Sequence, residues 1–215
     1  MNQKVRIANI IFNSLLVTFV TISLILMVTS SDTILTSGNA SALRFFTVDS
    51  NVMCGIGAII SLIYLIINKN YHKWVVLFKL AATVSLFLTF MVVLFYLVPM
   101  FGFSTQYSDA NAFMHLLTPL LAMVQFILIE PKKDIKFLEN IYGVIPMFVY
   151  GIFYITNVAI HDGYGTFDYD WYYFGTYGLG IGIIIFIIIL VITFGFALAL
   201  SYPYKKIDLF KNKEK

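Results

Sequence analysis

Charge is scarce in this chain. Asp, Glu, Lys and Arg make up only 12% of its 215 residues against 60% hydrophobic, and the mean hydropathy is +0.88. Soluble domains carry about twice that share of charge, so the composition belongs to the membrane class. No polar stretch is long enough to form a soluble domain, and the length suits a single one. Cysteine is nearly absent. Cys54 stands alone, which excludes an internal disulfide and any cysteine-based metal spacing; a lone thiol inside an apolar run fits packing. No nucleotide or metal motif is present, so no cofactor is implied. Nucleic-acid binding finds no support, because the net charge is only +3 and the basic residues sit at the ends of apolar runs. The internal repeat expected of an inverted-repeat transporter is missing as well.

What the chain does have is six apolar runs, roughly Ile7–Ser30, Leu43–Ile67, Trp74–Met100, Ala110–Ile129, Leu138–Ile160 and Gly175–Tyr202. Each reaches the ~20 residues that carry a helix across ~30 Å of hydrocarbon. The expectation is an all-α polytopic membrane protein, one domain over residues 1–215, with six transmembrane helices. The first run outlasts the ~7–15 apolar residues of a signal peptide and reads as a retained anchor. All fourteen Lys and Arg residues except Arg44 and Lys79 lie in the amino-terminal stretch, the second and fourth connections and the tail. By the positive-inside rule both termini face the cytoplasm, and the connections Ser31–Ala42, Phe101–Asp109 and His161–Phe174 lie outside. Lys79, just inside the third run, is expected to snorkel to the near interface. Asn39-Ala40-Ser41 is a formal glycosylation sequon of the kind that arises by chance. Gly178 with Gly182, and Gly195 with Ala199, read as small-residue pairs for close helix packing. The aspartate- and aromatic-rich segment His161–Phe174 reads as part of an interfacial aromatic belt.

Polar residues crowd the start of the second run, in the stretch Leu43–Cys54. At a helical 100° per residue, Arg44, Thr47, Ser50, Asn51 and Cys54 share a face, while Asp49 points elsewhere and needs water or a partner of its own. Lipid offers such groups no hydrogen bonds, so the face should point into a bundle or a wet cavity. His115 lies as far into the fourth run as Thr47 lies into the second, each roughly 7–8 Å below the outer boundary. A histidine beside a hydroxyl can serve as general base to a nucleophile, with Ser50, Asn51 or a helix-end N–H as oxyanion donors and Arg44 as a substrate support. The alternative is structural: a membrane threonine bonds its own helix carbonyl, and a lone histidine bonds a neighbouring helix. Tyr150, Tyr154, Asn157 and His161 either line the same cavity or form an interfacial aromatic cluster. Pro119 reads as a tolerated kink.

The stretches FFTVDSN (Phe45–Asn51) and MHLLTPLLAMVQFILIE (Met114–Glu130) resemble the androgen-induced and androgen-dependent tissue-factor-inhibitor-regulating protein family and its bacterial multipass relatives. Gln125-Phe126 stands where the bacterial relatives often carry Asp-Trp. The resemblance implies a six-pass membrane hydrolase of fatty acid esters of hydroxy fatty acids, with Thr47 as nucleophile and His115 as base. It also implies membrane lipids as surroundings and substrate, and a bacterial plasma membrane as location. Two readings stand at this point: a lipid-ester hydrolase, or a non-catalytic lipid- or small-molecule-binding protein or transporter using the same outer-leaflet cavity. A transporter should show a discontinuous helix or paired charges near the midplane.

Overall fold

A computed structural model describes residues 3–29, 40–67, 69, 71–130 and 135–202. The sequon at Asn39, most of the first connection, Lys132, Lys133 and the basic tail lie outside these. The described residues are helical, with no strand among them. Five helices are long and apolar enough to span a membrane: α1 (Gln3–Thr29), α2 (Phe46–Ile66), α3 (Lys73–Phe101), α4 (Asp109–Leu128) and, last in the chain, α6 (Leu179–Ser201). A sixth span results if the 3-10 turn Phe137–Gly143 is taken with α5 (Ile145–Ile160), from which it is bent by 43°. The fifth apolar run is therefore two pieces. Pro146, in the first turn of α5, has no N–H to carry a helical bond back across that junction.

Prolines also explain the two irregular turns inside the spans. Helices α3 and α4 each contain a five-residue π turn, Val93–Leu97 and Phe113–Leu117. Pro99 and Pro119 follow, and the residues four before them, Phe95 and His115, sit at the centres of those turns. A proline ring presses on the carbonyl at i−4; widening the helix there relieves the clash without breaking it. Pro119 thus places His115 on a widened turn.

Helices α1 to α4 form a core that is layered along its length. At one end the buried residues are polar, including Thr47, Ser50 and Asn51 of α2, Thr89 of α3, and His115 and Thr118 of α4. A dry layer of Leu16, Cys54, Ala58, Ala82, Leu86 and Ala122 follows. Beyond it comes a second polar layer. Lys79 Nζ donates to Asn13 Oδ1 at 2.9 Å and to Glu130 Oε2 at 2.7 Å, and Gln125 Nε2 donates to Asn9 Oδ1 at 3.2 Å. Lys79 is only 5% exposed, so it does not snorkel. A glutamate at the end of α4 and an asparagine on α1 meet the ammonium inside the bundle, and pairing there replaces lifting the charge into water.

The segment between α5 and α6 is a packed cap. Asp170 is fully buried; its carboxylate accepts the hydroxyl of Tyr154 and the backbone N–H groups of Gly165 (2.9 Å) and Gly175 (3.0 Å). Trp171 and Tyr172 are buried with it. Three donors on one carboxylate fold the segment inward, which a belt of interfacial aromatics does not require. Of the small residues in the last run, Gly178 starts α6 at φ +93° and Gly195 faces open space, while a Cβ at Gly182 would fall 3.4 Å from the Phe174 carbonyl, an ordinary contact. The close helix–helix approach is instead at Gly151 of α5, where a Cβ would fall 1.9 Å from the Phe186 ring of α6.

Candidate functional site

The first turns of α2 are held by side chains from one turn further on. Ser50 Oγ donates to the Thr47 carbonyl at 3.0 Å and so accepts from Thr89 Oγ1, 3.2 Å away on α3. Asn51 Nδ2 donates to the same Thr47 carbonyl at 2.8 Å and to the Met114 carbonyl of α4 at 3.2 Å. One amide therefore links Thr47 to the residue before His115. Its Oδ1 is buried without a partner among the described residues. The Thr47 hydroxyl makes no bond back to its own helix, as membrane threonines commonly do; it lies beside the hydroxyl of Tyr172. Thr47 is 6% exposed and lines a cavity of about 40 Å³ whose other walls include Tyr150, Tyr154, Tyr172 and Phe186. That volume holds a few waters.

His115 is 4% exposed, and its Nδ1 lies 2.8 Å from the carbonyl of Gln106 in the one-turn helix Phe103–Gln106. A carbonyl can only accept, so Nδ1 carries the proton and Nε2 keeps its lone pair. Nε2 makes no hydrogen bond among the described residues. On the same buried side of α4, Asn111 Oδ1 and Thr118 Oγ1 also have no partner among the described residues. Asn111 Nδ2 donates to the Thr105 carbonyl at 3.0 Å and helps hold Gln106 above the ring.

Thr47, Ser50 and Asn51 are thus brought together, with His115 next to them through Asn51. No hydrogen bond joins Thr47 to His115, and His115 does not line the Thr47 cavity. Arg44 turns toward the cap. Its guanidinium lies 5.0, 5.1 and 5.5 Å from the rings of Phe45, Phe167 and Trp171, and its Nη1 donates to the Asp168 carbonyl at 3.4 Å. The hydroxyl hydrogen of Ser50 and both amide hydrogens of Asn51 are spent on backbone carbonyls, a point decided by neighbours and not by helical spacing.

Tyr172 is the residue the sequence pattern gives no reason to single out. Its oxygen accepts from the Phe46 N–H at 3.1 Å. Burial pushes its pKa up to about 12, against a smaller opposing pull from the neighbouring Tyr150 hydroxyl and the Phe46 N–H, so it remains a phenol. Tyr150 donates to the Arg44 carbonyl at 2.6 Å and accepts from Trp171 Nε1 at 2.9 Å, and this pins the cap to the start of α2. Gln106 and Asn111 were also unmarked; only the i, i+4 spacing of Asn111 and His115 hinted at a shared face. Among the described residues no cluster of three His, Cys, Asp or Glu that could hold a metal occurs. No protein-family model, curated protein or solved structure matches the chain.

Proposed function

We propose that the protein is a membrane-embedded lipid-ester hydrolase with Thr47 as nucleophile and His115 as general base. The observation that supports this best is the 2.8 Å contact between His115 Nδ1 and the Gln106 carbonyl, which leaves Nε2 in the form a base requires. Thr47 Oγ attacks the ester carbonyl carbon as Nε2 takes its proton, directly once substrate draws the pair together or through one water. The tetrahedral oxyanion collapses, the alkoxide leaves with the proton from His115, and the acyl group stays on Thr47. Water, deprotonated by Nε2, then cleaves the acyl-threonine to a carboxylic acid and restores the hydroxyl. The phenol of Tyr172, beside Thr47, suits the oxyanion, since the Ser50 and Asn51 donors are occupied. Arg44 fits a support for the cap and a headgroup contact.

A specific observation favours the rival reading of a transporter or binding protein: the buried Lys79–Glu130 pair, together with a π turn in each of α3 and α4. Labelling with a serine/threonine-directed fluorophosphonate separates the two. Wild type should label and hydrolyse a fatty acid ester of a hydroxy fatty acid. Thr47→Ala and His115→Ala should each lose about 100-fold or more, with the double variant little worse than either. Equal labelling of wild type and Thr47→Ala ends the nucleophile assignment.

The proposed topology is six spans with both termini in the cytoplasm. Lys69 and Thr166 are exposed at opposite ends of the bundle, and Cys54 is buried, so background labelling is low. In intact cells an impermeant thiol reagent should modify Thr166→Cys and spare Lys69→Cys. The reverse pattern inverts the orientation.

A further inference from the structure

Helices α2 and α5 stand apart on the lipid-facing side, and the gap between them is a cleft of about 830 Å³ floored by α3. It runs obliquely from Leu43, at the Thr47 end, past Ala81 and Val149 to Trp74 and Tyr142 at the opposite end. Apart from its aromatic side chains, its polar lining is Asp49, Ser50 and Ser85, and the Asp49 carboxylate has no hydrogen bond or ion pair among the described residues. The Thr47 cavity, by contrast, holds about 40 Å³, room for water but not for an acyl chain. Cleft and cavity share only two wall residues, Phe46 and Tyr150. Their rings meet at a centroid distance of 5.0 Å and form the partition.

We infer that the cleft seats an acyl chain of an ester lipid entering sideways from the bilayer, and that Phe46 and Tyr150 are the gate through which the ester reaches Thr47. The inference rests on the hydrolase reading for its chemistry and on the two cavities for its geometry. The cleft lies within the spans, where the surrounding phase is acyl chain, and its apolar wall matches that phase. The polar atoms of Asp49 and Ser50 lie beside the gate at one end, so the ester and its neighbouring hydroxyl or headgroup register there and the chain trails along Ala81 and Val149. Displacement of one ring opens the partition. A substrate approaching from water would meet the cap instead.

The test uses the full chain in vesicles of phosphatidylcholine bearing one diazirine-labelled acyl chain, with adducts mapped by mass spectrometry. Adducts should concentrate at Phe78, Ala81 and Val149, about fivefold or more over Ile184 and Ile188, which are lipid-exposed on α6. Val149→Trp, which fills the cleft, should remove that excess. Equal labelling of the two surfaces overturns the inference whatever the enzyme does. A second arm compares a long-chain with an acetyl ester. Val149→Trp should raise KM for the long-chain ester about tenfold and leave acetyl hydrolysis unchanged; equal loss on both esters counts against the cleft. Wild type that hydrolyses neither ester refutes the hydrolase reading, and the adduct map then decides the cleft by itself.

Discussion

At Thr47 the decisive feature is what its neighbours leave free. The carbonyl takes two side-chain donors, while the hydroxyl is turned to Tyr172. That the polar residues of α2 share an inward face is legible from 100° spacing and from the hostility of lipid to unpaired polar groups. Which of them retain a free hydrogen is not, because α3, α4 and the cap settle it. Tyr172 comes from a segment without periodicity, and nothing in WYYF tells its second residue from its third. It also yields a pH prediction. Its folded pKa of about 12 exceeds the ordinary ~10, so the buried phenol stabilises the fold fully below about pH 10. That contribution is lost as pH rises from about 10 to 12. Alkaline unfolding in detergent should therefore be shallower across that window for Tyr172→Phe than for wild type, by on the order of 2 kcal/mol. Parallel curves would place the phenol in water.

Among the elements, α5 departs most from its apolar run, and it meets α6 at a glycine. The runs predict helices well because in hydrocarbon only a helix satisfies its own backbone. They do not predict bends: a proline marks where the ladder is interrupted, and packing chooses between a 43° break at Pro146 and a π turn before Pro119. Glycine is similarly ambiguous. Four small residues of the last run invite a packing role, yet the positions that need to be small against α6 are Gly151, facing Phe186, and Gly143, facing Ala197. Gly151→Ala should push that ring into the Thr47 cavity and cost about 1–3 kcal/mol in thermal unfolding. Adding Phe186→Ala should make the Gly151 change nearly neutral, because the clash has gone. A Gly151→Ala protein as stable as wild type would mean that α5 and α6 adjust freely.

The whole molecule is two polar layers held apart by a dry one, and the far layer depends on Lys79. Charge asymmetry suggests an orientation for the spans, since it needs only the order of charges along the chain. The Lys79–Glu130 pair joins residues 51 positions apart on different helices, and no local pattern connects them. Lys79→Met should lower stability by about 3–5 kcal/mol, because it strands a buried carboxylate. Lys79→Met with Glu130→Gln should lose less than that single change, as judged by unfolding in detergent; a double variant worse than the single would assign the loss to packing. The same pair imposes an order on biosynthesis. At ~5–20 residues per second, Glu130 is made roughly 3–10 s after Lys79. During that interval α3 enters the bilayer with its ammonium unmatched, and the partner already present is Asn13 on α1. The first helix thus offers the charge of the third a polar contact before the fourth exists.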